Sequence, residues 1–313
     1  ISNNSNNSNL FISKSTNILI FITGTTFLWY SISVTFTIFN KYFLTTWTGV
    51  GFHYPILGVT IHMFIKLILS KIWYYYNDEI IHPLTSEKTL KIVIPIGIAT
   101  ALDIMCSNQA ILYISISMYT IIKSSLVIFT FGFGVLFKID TFYWSLFSSI
   151  LIIVLGLLLA IWPEVLSDHH VSIMGLIYVL IASAMGGLRW TLTQLLISQD
   201  NDSSDSMVVI YRIAPAAAFC MVPFALFIDL PLLLTEKNVF MNDFNLLAEA
   251  FGLLVCGGVI AFALIFVEIA LLQLTSSLSM GVLGQTKEIL QICVAMIVLH
   301  EHLTPSSIIG VMR

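Results

Sequence analysis

The chain has 313 residues and a net charge of −4; hydrophobic residues make up 58% of it and charged residues only 10%. A water-soluble domain carries roughly 25% charged residues, so a mean hydropathy of +0.97 excludes a soluble fold. The small, dispersed acidic excess also excludes a basic surface for nucleic acid. The apolar runs are long and continuous rather than short and alternating, which excludes a β-barrel. The class that remains is an all-α polytopic membrane protein.

In chain order, residues 1–16 form an Asn/Ser-rich tract whose composition predicts disorder. The apolar run that follows is too long for a signal-peptide core, so no cleavable signal is expected. Apolar windows long enough to span a bilayer fall at about 17–39, 53–76, 91–113, 115–137, 141–162, 171–197, 207–230, 246–268 and 271–299. A tenth begins after Pro305 and is incomplete at Arg313, and the chain does not begin with Met; both ends read as cut. The connections are too short to hold a soluble domain, so residues 17–313 read as one membrane domain. The acidic connection QDNDSSDS (199–206) reads as a solvated turn. Lys14, Lys71, Lys88, Lys91 and Lys138 fall on one side of the membrane and Lys41 and Lys237 on the other, which favours a cytosolic N-terminus. Cys106, Cys220, Cys256 and Cys293 lie in apolar runs without disulfide or metal-ligand spacing.

Lys123 and Lys287 stand out, because each lies about a dozen residues inside an apolar stretch. An ammonium at mid-bilayer costs roughly 2.5–3.5 kcal/mol on insertion scales, and two of them call for an anionic partner. Superposing the two lysines is a shift of 164 residues that also aligns Ser115 with Ser279. Both lysines close stretches rich in small and hydroxyl residues, and a charged turn follows each after an apolar run (137–140 and 300–303). Two similar units of five spans, about 17–162 and 171–313, must insert in opposite senses, and such inverted repeats hold cargo near the midplane. Asp103 and Glu288 are the candidate counter-ions for the lysines. Lys66 reads as a snorkelling cation and Glu268 as a helix-end residue. Small residues four apart (Ala182/Gly186 and Ser183/Gly187) predict close helix packing. The adjoining Arg189 either grips phosphate or anchors a helix end, and Tyr211 and Arg212 either meet a nucleobase or anchor an interface. No nucleotide-hydrolysing, hydrolase or metalloprotease motif is present, so neither an enzyme nor a cofactor is expected. His169-His170 and His300-Glu301-His302 lie in short loops and do not suggest a metal.

The segments FNK (39–41), ALD-x-x-x-SN (101–108), SMYTIIKSS (117–125), GLRWTLTQLL (187–196) and the Lys287-Glu288 pair resemble the nucleotide-sugar/triose-phosphate transporter family of the drug/metabolite transporter superfamily. Within it they look most like the GDP-fucose-transporter-like branch, and the resemblance runs from about residue 20 to the end. It implies a ten-helix fold of two inverted five-helix repeats, here with the last helix incomplete, in the Golgi or ER membrane. It also implies exchange of a cytosolic nucleotide sugar for a lumenal nucleoside monophosphate. By that similarity Lys123 and Lys287 hold phosphate, with Tyr119, Thr120 and Ser124 beside the first lysine and Tyr211 and Arg212 where members read the base. Arg212 departs from the asparagine that family members carry there. Glu288 replaces the Arg of plastid sugar-phosphate members, an added carboxylate that would repel a small doubly charged ester. The expected partners are cargo and membrane lipids, and the Gly-rich faces permit a homodimer. A sugar-phosphate/phosphate antiporter and a non-transporting scaffold of the secretory pathway are the alternatives.

Overall fold

The computed structural model describes residues 2–49, 51–77, 82–114, 116–144, 147–148, 152, 172–235 and 243–299, which are helical with short connections and contain no strand. The elements are α1 (Ser2–Lys41), α2 (Pro55–Asn77), α3 (Ser86–Ile111), α4 (Ile116–Lys123), α5 (Leu126–Leu136), α6 (Ile173–Gln199), α7 (Ser206–Thr235), α8 (Phe244–Leu274) and α9 (Ser277–Leu299). Among the described residues, six stretches are long and apolar enough to cross a membrane, the first of them Leu19–Leu44 and the most apolar α8. This is a multi-pass membrane protein. Large apolar side chains such as Phe219, Phe227 and Phe251 are exposed on its surface, where lipid is their solvent. The fifth and tenth windows fall almost wholly outside the described residues.

Helix boundaries follow local chemistry. The backbone of α1 is helical from Ser2, through the tract that composition alone reads as disordered; once nucleated, a helix extends at little further cost. The window at 115–137 is not one helix. It breaks at Ser124–Ser125, where the Ser125 amide donates to the Ile122 carbonyl at 3.0 Å, and this leaves Lys123 as the last residue of α4. A cation at a helix C-terminus meets the negative end of the helix dipole. The last two described helices separate at Thr275–Ser276. Ser276 accepts from the Ser279 amide at 3.2 Å, so α9 begins at Ser277, several residues later than hydropathy suggests.

Glycines set the closest contacts. A Cβ at Gly187 would lie 2.8 Å from the backbone nitrogen of Thr130, and one at Gly97 would lie 2.7 Å from the backbone of Ala216. These glycines let α6 reach α5, and α3 reach α7, nearly backbone to backbone. Among the described helices, the most extensive interface joins α3 to α6. Two of the four apolar clusters among the described residues bear on the site. One joins α2, α3, α6 and α7 around Met63, Ile96, Leu196 and Met221; the other joins α1, α5, α6, α8 and α9 around Trp29, Leu126, Trp190 and Met280. Residues of the second cluster form part of the wall of the site.

Candidate functional site

Two lysines 164 residues apart in sequence meet in one hollow. Lys123, from the end of α4, and Lys287, from α9, both line a cavity of about 270 Å³, with Trp29, Asp103, Arg189 and Glu268 around them. Asp103, Arg189 and Lys287 lie eight to ten residues from the nearer end of their helices. At a rise of 1.5 Å per residue that is about 12–15 Å, close to half the hydrocarbon thickness of a bilayer.

The Lys123 ammonium is buried and ion-paired with Asp103 Oδ1, and it also donates to Ser107 Oγ at 3.2 Å. Asp103 and Ser107 sit one turn apart on α3, so a single face of that helix presents both acceptors. The other Asp103 oxygen lies 3.9 Å from Arg189 Nη2, across the α3–α6 interface. Gly186 makes that approach possible, because a Cβ there would come within 3.1 Å of the carboxylate. The Arg189 guanidinium also stacks on its neighbour Trp190, 4.3 Å from the ring centroid. Lys287 Nζ stands 4.7 Å from the Trp29 ring, whose Nε1 donates to Glu268 Oε1 at 3.0 Å. The lining of the cavity thus includes three cations, two carboxylates and two indoles. A ring-bearing anion fits that chemistry: charged donors for its acidic group and aromatic faces for its apolar plane.

Lys123, Lys287, Tyr119, Arg189 and Asp103 are brought together as cavity-lining residues. Ser124 is half-buried in the turn after α4. The side chains of Thr120 and Glu288 lie outside the described residues, as do the histidine pairs at 169–170 and 300–302. Tyr211 and Arg212 are elsewhere. They line a second cavity of about 390 Å³, with Lys71, Tyr74 and His82, where α2 ends and α3 and α7 begin. There Tyr211 stacks on Tyr74 with centroids 4.9 Å apart. Arg212 is buried and ion-paired with Asp200, lies 3.3 Å from Asp202 and donates to Ser203 Oγ and the His82 carbonyl. The QDNDSSDS connection is therefore not simply a solvated turn; its acids receive a buried guanidinium.

Trp29, Ser107, Trp190 and Glu268 are site residues that the sequence reading did not assign. Glu268 lies six residues inside the end of α8, and its position in an apolar run was the available signal. Lys66 is not a snorkelling cation. It lines a small internal cavity of about 50 Å³ beside Arg189 and Trp190, within the electrostatic reach of Glu268.

Comparison with known proteins gives this arrangement a lineage. The family model of the Triose-phosphate Transporter family matches residues 20–313. The chain belongs to that family. Among relatives of this triose-phosphate transporter family member is an Arabidopsis thaliana protein named as a probable sugar phosphate/phosphate translocator. It is 28% identical over 288 residues, covering 91% of this chain and 68% of the relative. A Saccharomyces cerevisiae protein with the provisional name of nucleotide-sugar transporter is 25% identical over 343 residues, covering 88% and 78%. The UDP-uronic acid transporter 1 of Arabidopsis thaliana is 23% identical over 297 residues, covering 93% and 91%. The family is one of transporters, not of enzymes.

Proposed function

We propose that this protein is an antiporter of the Golgi or ER membrane, with a cytosolic N-terminus, that takes a cytosolic nucleotide sugar inward as a lumenal nucleoside monophosphate leaves. The observation that carries this reading is the shared cavity of Lys123 and Lys287. Each lysine comes from one of two inverted five-helix repeats of a ten-helix fold, and the repeats rock about the occupied site to expose it alternately. The phosphate oxygens accept charge-assisted hydrogen bonds from Lys123, Lys287 and Arg189, while Trp29, Trp190 and Tyr119 offer ring faces to the sugar or base. Cargo binds a closing site better than an open one, and that difference in interaction free energy drives the change of state.

A sugar-phosphate/phosphate antiporter is the second reading. A volume of about 270 Å³ favours it, since pockets for larger organic ligands run to roughly 300–1,000 Å³. The name of the Arabidopsis relative supports it as well. A trans-stimulation screen in proteoliposomes separates the two. Vesicles preloaded with nucleoside monophosphates and offered labelled nucleotide sugars are compared with vesicles preloaded with inorganic phosphate and offered labelled hexose phosphates. Uptake in the first set alone supports the nucleotide-sugar reading, and uptake in the second alone replaces it. Uptake in neither set leaves the scaffold reading and overturns transport.

A further inference from the structure

We propose that Asp103 is a built-in competitor for the anionic group of the cargo, and that it sets both cargo affinity and the strictness of exchange. The inference rests on the transport reading above and adds to it the residue that tunes the site. Asp103 is only 9% exposed. Its carboxylate lies between two cations on different helices, with Oδ1 on Lys123 and Oδ2 3.9 Å from Arg189. A phosphate bound between those cations requires the same donors, so cargo and Asp103 contend for one ammonium. Ser107 holds the ammonium at 3.2 Å and is itself 3.4 Å from Asp103 Oδ1, which keeps Lys123 in reach of either anion. Gly186 packs against the carboxylate from α6, so Asp103 is held in register with both cations.

Two consequences follow from charge burial. Cargo must displace Asp103 from Lys123, so part of the interaction free energy is used in the displacement and affinity is lowered. When cargo leaves, the carboxylate pairs with the lysine again. A buried ammonium without a partner is strongly unfavourable, so this pairing lowers the barrier for the cargo-free site to cross between its two faces. Asp103 therefore permits a measure of transport without exchange, and a carrier lacking it is a weaker uniporter and a stricter antiporter. A merely structural role predicts the opposite sign, because loss of the ion pair would then loosen the site and weaken binding.

The test uses the full chain, with labelled inorganic phosphate, uridine monophosphate and guanosine monophosphate as probes. Equilibrium binding is measured on purified protein, and efflux of the preloaded probe from proteoliposomes is followed into medium with and without the same probe. Asp103→Asn is expected to tighten binding roughly tenfold, the loss of one competing charge-assisted contact. Its ratio of efflux with external probe to efflux without should rise severalfold. Asp103→Ser, which vacates the position, should move both readouts in the same direction, and Asp103→Glu, which keeps the charge, should return them towards wild type. Unchanged or weaker binding in both neutral variants, with wild-type thermal melting, overturns the role given to Asp103 while leaving transport standing. A wild-type protein that binds none of the three probes and releases none of them overturns the transport reading and this inference together.

Discussion

The two ammonium groups were conspicuous in the sequence because the bilayer makes an unpaired charge expensive. Removing either should leave cargo phosphate without one of its charge-assisted contacts. Lys123→Ala and Lys287→Ala are each expected to lower counter-exchange on the order of 100-fold, with protein still inserted in the membrane; wild-type-like exchange in either variant would refute the site. Glu288→Arg tests the second lysine's neighbour. It should shift substrate ranking towards small phosphate esters in the same exchange assay, and an unchanged ranking would count against a carboxylate that screens them out. Trp29 and Glu268 were not legible in the same way. An indole in an apolar span resembles any other packing residue until its Nε1 is seen donating to a carboxylate on a helix 239 positions away in sequence.

Among the described elements, hydropathy located six spans but misjudged the continuity of the 115–137 window. The 115–137 window reads as one helix because every residue around Lys123-Ser124-Ser125 is compatible with one. The break falls beside the ion pair of Lys123 with Asp103. The small-residue face at 182–187 was legible, since stripes of Ala, Ser and Gly admit a neighbouring backbone; its partners were not. Gly97 gives a direct test. A methyl group there meets backbone rather than a movable side chain, so Gly97→Ala should destabilise the protein by roughly 1–3 kcal/mol, read as an earlier thermal melt in detergent. Asp229 plays a role that no local pattern announced. From α7 it accepts the Leu57 amide at 2.7 Å and so caps α2 across the bundle. Asp229→Ala should cost about 1–2 kcal/mol by the same measurement.

For the whole molecule, the alternating access proposed above would require contacts between early and late helices that can open at each mouth. At one end, Lys88 donates to the Gln199 carbonyl at 2.6 Å, and Arg212 binds both the acidic connection and the His82 carbonyl. At the other, Trp47 donates to Glu249 at 3.0 Å. Because Arg212 is buried among its acids, Arg212→Ala leaves their charges uncompensated and should lower stability by roughly 3–5 kcal/mol, measured as melting of the reconstituted protein. No loss would mean that those acids are solvated after all.

Membrane class, six of the spans, the family and the presence of two lysines inside apolar stretches could all be read from the chain alone, because hydropathy, the energetic penalty of buried charge and short motifs are local properties. The cation beside Trp190, the pairing of Asp103 with Lys123, the indole beneath Lys287 and the separate placement of Arg212 had to wait for the packed helices. Each depends on which faces of distant helices come within a few ångströms; small-residue spacing and buried charge mark a position as needing a close neighbour or a counter-charge, but they do not name the partner.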